Sequence, residues 1–555
     1  MNSLCETTAN RFIDLKFTKL RSLLPQGEGQ DEGIYKNSIL SLLGSLTPAL
    51  SQGEREFTAQ HWGRLDCSCA EVPISDTTGC QSSLTPLLPL LLLCWLPLAP
   101  LSADQEMPLE EVLDGFGEEP SGGTAPASLD DLLQGFDDAD VAAPQPLDHE
   151  LQPGGGWDIS GEIDFSSAFN FAHRAPAAGA TDYRGLSRLR TGIDLELKGE
   201  LMPGWRLHLA LNGDYDAVYQ ANGRSNYEPQ LLNDSESEFE VGEAYLQGSP
   251  GEAFDLKIGR QILVWGKSDN LRVTDVLNPL DLREPGVVDI KDLRLPVGMA
   301  KLGYFAGDWG FSLIAIPEVR FSKLPPYGSD FYQGAAKPPP EQVPADGFDR
   351  MQYALAANGI FSGWDLSLYW ADIYQDQGYL DSTGSSPVLR HSRINMAGAA
   401  GNVALGNWLL KSEFAYLSGL RFSGLPGVKR DRADILVGVE YSGFDDTTLG
   451  VERVLRRLSG FNRDFTAAGY ARNQWQTALR YQGEFLHARL KLTGVATFYG
   501  EALDEGGFIR LSGDYELAEA QILTLGVIFY ENGGSPPVLD VGQNDRLFAG
   551  YSYSF

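Results

Sequence analysis

Between Phe254 and Phe305 the chain reads FDLKIGRQILVWGKSDNLRVTDVLNPLDLREPGVVDIKDLRLPVGMAKLGYF. Charges of both signs crowd this stretch: Arg260, Asp269, Arg272, Asp275, Asp281, Arg283, Asp289, Lys291 and Arg294, with Gln261, Trp265 and Asn278 among them. Guanidinium and carboxylate groups at this density are suited to ion pairing, either with a passing solute or with a surface that holds the segment in place. Asp275, Asp281 and Asp289 together would make a cation-attracting constriction. Because Arg272, Arg283, Lys291 and Arg294 lie between them, the sequence gives no net sign of selectivity.

Other chemistries find less support. The six histidines are His61, His149, His173, His208, His391 and His487, and none stands in a local nucleophile, base and orienter pattern. All five cysteines lie at or before Cys94, and Cys67 and Cys69 are spaced too closely for a zinc pair. The glycine-rich stretches read as turns and linkers, not phosphate cradles. A formal charge of −32 offers no basic field for nucleic acid. The expectation is a protein that is not an enzyme and uses no cofactor and no metal.

The elements that carry these residues alternate with period two from Trp157 onward. In RLRTGIDLELKGEL, Leu189, Thr191, Ile193, Leu195 and Leu197 share one face, and Arg188, Arg190, Asp194, Glu196 and Lys198 the other. In WRLHLALNGDYD, Trp205, Leu207, Leu209 and Leu211 oppose Arg206, His208, Asn212 and Asp214. Arg480 and Arg510 occupy the polar faces of WQTALRYQGEF and FIRLSGDYEL. Both charge signs on nearly every polar face, with aromatics toward the ends of the apolar face, match a watery lumen and a lipid-facing exterior. Arg188, Arg190, Asp194, Arg206, His208, Arg480 and Arg510 are therefore predicted to line the lumen, His208 at mid-wall.

Very short turns are predicted at LMPGW, SPGEA, AGDWG, FSGWD, LGNW, GFDDT, LHA and AEAQ, with longer Gly-, Pro-, Ser- and Asp-rich connections between them. This is the outer-membrane pattern of short periplasmic turns and long external loops. The expected fold is all-β: one transmembrane antiparallel barrel of about 18 strands, with 16 the next choice, spanning residues 156–555. The ending DRLFAGYSYSF, closing on Phe555, is similar to the C-terminal strand that the barrel insertion machinery recognises in bacterial outer membranes. Outer-membrane lipid and that machinery are the partners it implies, in a Gram-negative bacterium.

The charged stretch then falls between the fifth and sixth strands, as a loop of about 30 residues, long enough to imply a function. In porins the loop at that place folds inward and narrows the pore. Strict alternation would leave Arg260 in lipid. A bulge near Gly259 could instead turn it into the lumen to clamp loop carboxylates, a structural role favoured over direct substrate contact. The run Gly259-Arg260-Gln261, Trp265-Gly266 and Asp275-Val276-Leu277-Asn278-Pro279-Leu280-Asp281 resembles an uncharacterised family of large porin-like outer-membrane proteins. Members of that family are often encoded beside RND-superfamily exporters of hydrophobic compounds and periplasmic lipoproteins. More distantly, the pattern is similar to alginate-export-type barrels. The resemblance implies a barrel and marks these positions without assigning them individual roles.

Upstream, SLTPLLPLLLLCWLPLAPLSADQ reads as a secretory signal peptide over residues 83–103. Residues 1–82 look like translated intergenic repeats and are expected to be a misassigned start. Residues 104–155 read as a disordered, acidic, periplasmic tail. It holds two copies of one module, LEEVLDGFGE and LDDLLQGFDD. Leu109, Val112 and Leu113 with Phe116, and Leu129, Leu132 and Leu133 with Phe136, form apolar faces at helical spacing that could fold on docking to a partner. A solvated acidic spacer is the plainer alternative. Two functions remain open: porin-like passage of an unidentified solute, or the outer-membrane part of an RND-linked export or lipid-traffic assembly.

Overall fold

The structure is a computed structural model and describes residues 156–555 apart from 335 and 535–537. The proposed start, signal peptide and acidic tail, with both docking modules, lie outside the described residues.

The first strands are β1 (Trp157–Asn170), β2 (Gly185–Met202), β3 (Trp205–Asp216), β4 (Ser237–Gly251) and β5 (Phe254–Gln261). They are followed by β6 (Val297–Ala306), β7 (Trp309–Ile316), a short β8 (Glu341–Gln342), β9 (Gln352–Phe361) and β10 (Trp364–Tyr374). Short β11 (Tyr379–Asp381) and β12 (Val388–Arg390) precede β13 (Arg393–Leu405), β14 (Trp408–Arg421), β15 (Lys429–Phe444) and β16 (Thr447–Leu458). The chain ends with β17 (Asn473–Phe485), β18 (Leu490–Tyr499), β19 (Gly507–Ala518), β20 (Gln521–Glu531) and β21 (Arg546–Ser554). Among the described residues, four short α-helices interrupt the loops: α1 (Val218–Ala221), α2 (Pro229–Ser235), α3 (Ile290–Leu293) and α4 (Arg463–Ala467).

Apart from β8, β11 and β12, which form a separate three-stranded patch, the strands make one 18-stranded sheet. It closes where β1 pairs antiparallel with both β2 and β21. Closure satisfies every ladder and leaves no edge, which a wall in lipid requires. No described helix is long and apolar enough to cross a membrane.

All eight predicted short turns are present, for example Pro203–Gly204 between β2 and β3 and Gly406–Asn407 between β13 and β14. Both ends of the barrel lie on that side: Trp157 pairs with Gly199 near the β2–β3 turn, and Gly161 exchanges backbone hydrogen bonds of 2.9 and 2.8 Å with Phe555. The Phe555 ring covers the space a Cβ on Gly161 would fill.

The exterior alternates as expected. In β14, outward Phe414 and Tyr416 flank inward Ala415, which is fully buried. Aromatics collect outside the short-turn end, with ring pairs Phe254–Tyr304, Phe361–Trp364 and Trp408–Tyr441 at 5.1, 4.2 and 4.4 Å. They form the interfacial girdle of an outer-membrane barrel.

The lumen departs from the sequence-based picture. Inward positions of β7 to β13 are largely apolar or small: Ile314, Ile316, Ala354, Ala371, Ile373, Ile394, Met396 and Ala400. Asp365 on β10 is a charged exception within this arc, and it faces the loop's Lys267. The reason for the apolar arc is the loop between β5 and β6, residues 262–296, which packs Trp265, Leu271, Val273 and Leu277 onto that wall. Each such side chain contributes roughly 1.5–3 kcal/mol on burial. The small alanines opposite leave the room.

Candidate functional site: a loop anchored across the lumen

The base of loop 262–296 is tied by Asn278. Its Oδ1 accepts from the Leu263 N–H at 2.8 Å, and its Nδ2 donates to the carbonyls of Gln261 and Leu295 at 3.2 and 2.9 Å. The Leu295 N–H donates to Pro279 O at 2.8 Å, and Gln261, wholly buried, donates to Met299 O at 3.1 Å. Asp275 is enclosed by Arg272 and Arg294 at 3.1 and 3.0 Å. The loop is thus cross-braced before it meets the wall.

Two buried wall carboxylates then hold its backbone. Glu413 on β14 accepts the N–H groups of Lys267, Ser268 and Thr274 at 2.7, 2.8 and 3.1 Å, and the Thr274 hydroxyl at 2.8 Å. Glu452 on β16 accepts from Asp269 N, Asn270 N and the Ser268 hydroxyl at 2.9, 3.1 and 2.7 Å. Gly266 passes so close that a Cβ there would lie 2.7 and 2.8 Å from the Glu413 oxygens, and its φ of +92° suits glycine. Trp265 stacks on Tyr369 of β10 with centroids 4.6 Å apart. Lys267 pairs with Asp365 at 2.8 Å, and Lys411 bridges Asp269 and Glu440.

The second half of the loop reaches the opposite wall. Asp289 pairs with Arg480 of β17 and Arg510 of β19, and Glu284 pairs with Arg188 of β2 and Arg546 of β21. Arg456 donates to Arg272 O at 3.1 Å, and Tyr530 to Pro285 O at 2.6 Å. Arg283 binds Asp281 and Glu238. Burial pushes the Asp281 carboxyl up, but Arg283 more than reverses this and leaves it below the usual carboxylate range.

Several sequence expectations are corrected here. Asp275, Asp281 and Asp289 do not form an open acidic constriction, because each is engaged by a guanidinium. Arg260 does not clamp them. It stays in register opposite Ala244 and Gly298, with Gly259 before it at φ +134°. Its guanidinium turns to Glu318 at 3.2 Å, Glu240 at 3.6 Å and the carbonyls of Val241 and Pro296 at 3.0 and 3.3 Å. It therefore closes the loop base against β4 and the β7–β9 connection.

Among the wall residues, Arg190 lies 3.8 Å from Asp214 and Asp216, and Asp194 accepts from Asn212. His208 is nearer the short turns than mid-wall, because β3 starts at Trp205. It pairs with Glu196 at 3.1 Å and stacks on Tyr245 at 4.7 Å. Arg206 sits exposed beside the β2–β3 turn, away from the loop. Among the described residues no group of three metal-ligating side chains occurs.

Sequence reading missed Glu413 and Glu452. The available signal was one acid on an inward face, shared with Lys411, Ala415 and Leu417 in KSEFAYL and with Val454 in GVERVL. Parity places such a residue inside but names no partner.

A closed, lipid-girdled barrel with a long loop anchored inside it defines a porin-like outer-membrane β-barrel. The chain belongs to the family described as protein of unknown function DUF1302, which matches residues 182–555. Among solved structures it is similar to Acinetobacter baumannii OccAB2, with 12% identity over 72% of this chain and 98% of that one and a TM-score of 0.43. Pseudomonas aeruginosa OccD3 (OpdP) is similar at 10% identity over 72% and 91%, TM-score 0.43. Salmonella typhi OmpF in complex with daunomycin matches at 10% over 72% and 98%, TM-score 0.35. No curated protein matches the chain.

Proposed function

We propose that the chain is a passive outer-membrane channel whose lumen loop 262–296 narrows. The observation that supports this most is the asymmetry of the loop's seating. Its first half seals the apolar wall, while Asp164, Asp194, Glu196 and Asp214 on β1 to β3 keep part of their surface open. Water and small polar solutes have their path along that charged side. Purified protein in planar bilayers should give small ohmic steps, and shortening the loop between Gln261 and Val297 should enlarge them. Silence from both proteins, in bilayers shown to contain folded barrel, would end this reading.

A second reading is favoured by the repeated modules at Leu109–Phe116 and Leu129–Phe136. β1 begins at the short-turn end, the periplasmic side of such a barrel. Two copies on one tether would raise avidity for a periplasmic or inner-membrane transporter partner. Deleting residues 104–145 should abolish transport in cells while barrel insertion and bilayer conductance stay normal. Unchanged transport excludes docking.

A further inference from the structure

Near its external end, the outer face of β15, β16 and β17 carries cations that the protein does not neutralise. β16 starts at Thr447, just after the short Asp445–Asp446 turn, so its Leu458 end is the external one. The outward positions toward that end are Arg453, Leu455 and Arg457. Arg457 is exposed and stands in register with Ala433 of β15 and Asn473 of β17. Lys429 and Arg430 open β15 beside it, and Arg463 and Arg472 lie in the connection to β17. Arg430 Nε donates to Gly460 O at 3.1 Å, and Arg472 O accepts the Leu458 N–H at 2.8 Å, which ties both to the top of β16.

Among the described residues none of these cations is in an ion pair, in a chain whose formal charge is −32. The carboxylates beside them are otherwise occupied. Asp431 accepts the Tyr416 hydroxyl at 3.0 Å and the Gly419 N–H at 3.1 Å, and Asp464 accepts from Asn462 at 3.0 Å. Other guanidiniums of the wall have acids of their own. Arg393, outward on β13, pairs with Asp372 of β10 at 2.8 Å, and inward Arg432 and Arg456 hold Asp434 at 2.7 and 3.9 Å.

Arg453 shows how the patch is arranged. Its guanidinium carbon lies 4.6 Å from the Trp475 ring centroid, and its Nη2 donates to Glu501 O in the β18–β19 connection at 2.6 Å. The charge is thereby drawn toward the external rim and away from hydrocarbon. Beside and below it the face is apolar: Ile435, Val437 and Val451 are 47, 59 and 48% exposed. Guanidiniums at the rim of an apolar face match a ligand with phosphate at the headgroup level and acyl chains beneath.

We propose that this face binds a phosphate-bearing lipid of the outer leaflet, its phosphate pairing with Arg457 and its acyl chains lying along Ile435, Val437 and Val451. Arg453 and the loop cations supply the surrounding positive field. The site is outside the lumen, so it does not depend on the channel reading.

The test is native mass spectrometry of the full-length barrel in detergent, titrated with lipid A or with the same lipid stripped of its phosphates. The phosphorylated lipid should bind roughly tenfold more tightly. Arg457→Gln should weaken it about fivefold, and the Arg453→Gln, Arg457→Gln double variant further, with binding of the stripped lipid unchanged. Arg206→Gln, at the short-turn end, should change nothing, and resistance of the folded band to SDS certifies each barrel. Inorganic phosphate at the lipid's concentration should not displace it, because the acyl chains contribute to binding.

Equal binding of the two lipids, native affinity in the double variant, or displacement by inorganic phosphate overturns the site. Conductance of the same preparation separates this site from the channel. A conducting barrel without phosphate preference ends the lipid site alone, whereas a silent barrel that prefers the phosphorylated lipid ends the channel and keeps the site.

Discussion

Replacing Glu413 with Ala unseats the first half of the loop and raises the bilayer conductance. The carboxylate is 2% exposed and takes three backbone N–H groups and one hydroxyl. Removing it leaves those buried donors without a partner, at a cost of about 3–5 kcal/mol to the seated loop. The β13–β14 and β14–β15 ladders do not use the side chain, so the barrel itself should still form. The expected result is larger, noisier current steps and protease cleavage near Ser268, in a barrel with normal SDS resistance. Glu413→Gln should be milder, since one side-chain oxygen remains, although its NH₂ meets N–H donors. Glu452→Ala acts on the adjacent residues 268–270, and the double substitution should be less than additive because both hold one segment. A Glu413→Ala barrel with native current and a protected loop would refute the anchoring role.

Leu313→Arg should cost about 2–4 kcal/mol of barrel stability in lipid. Leu313 of β7 is 50% exposed and stands between Leu302 of β6 and Leu355 of β9. If that face meets hydrocarbon, the guanidinium must be buried in it or drag water inward. Ser312, one residue earlier, faces the lumen, and Ser312→Arg should cost no more than about 1 kcal/mol. Urea titration of folded protein in bilayers measures both. Equal tolerance at the two positions would mean that the outer face is not in lipid.

Much of this architecture was legible because it depends on local rules. Alternation is a property of neighbouring residues, so the outward set Leu189, Ile193 and Leu195 could be read from β2 alone. Short turns announce themselves through Pro203–Gly204, Gly307–Asp308 or Gly406–Asn407. Counting between them placed the charged loop after the fifth strand. The partners of that loop were not legible. Arg260 was expected to clamp a loop carboxylate, and it found Glu240 and Glu318 instead. Asp289 looked like a candidate for attracting cations, yet Arg480 and Arg510 neutralise it.

The sequence by itself determined an all-β membrane barrel, its strand order, and the identity of the long loop, since hydrophobic period and turn chemistry act over a few residues. Only the tertiary structure decided that the lumen is apolar on one arc and that Glu413 and Glu452 hold the loop. Those contacts join residues as far apart as Lys267 and Glu413, 146 positions, or Asn270 and Glu452, 182 positions. A single sequence fixes which way each side chain points from its strand, but which side chains meet across the lumen depends on barrel closure.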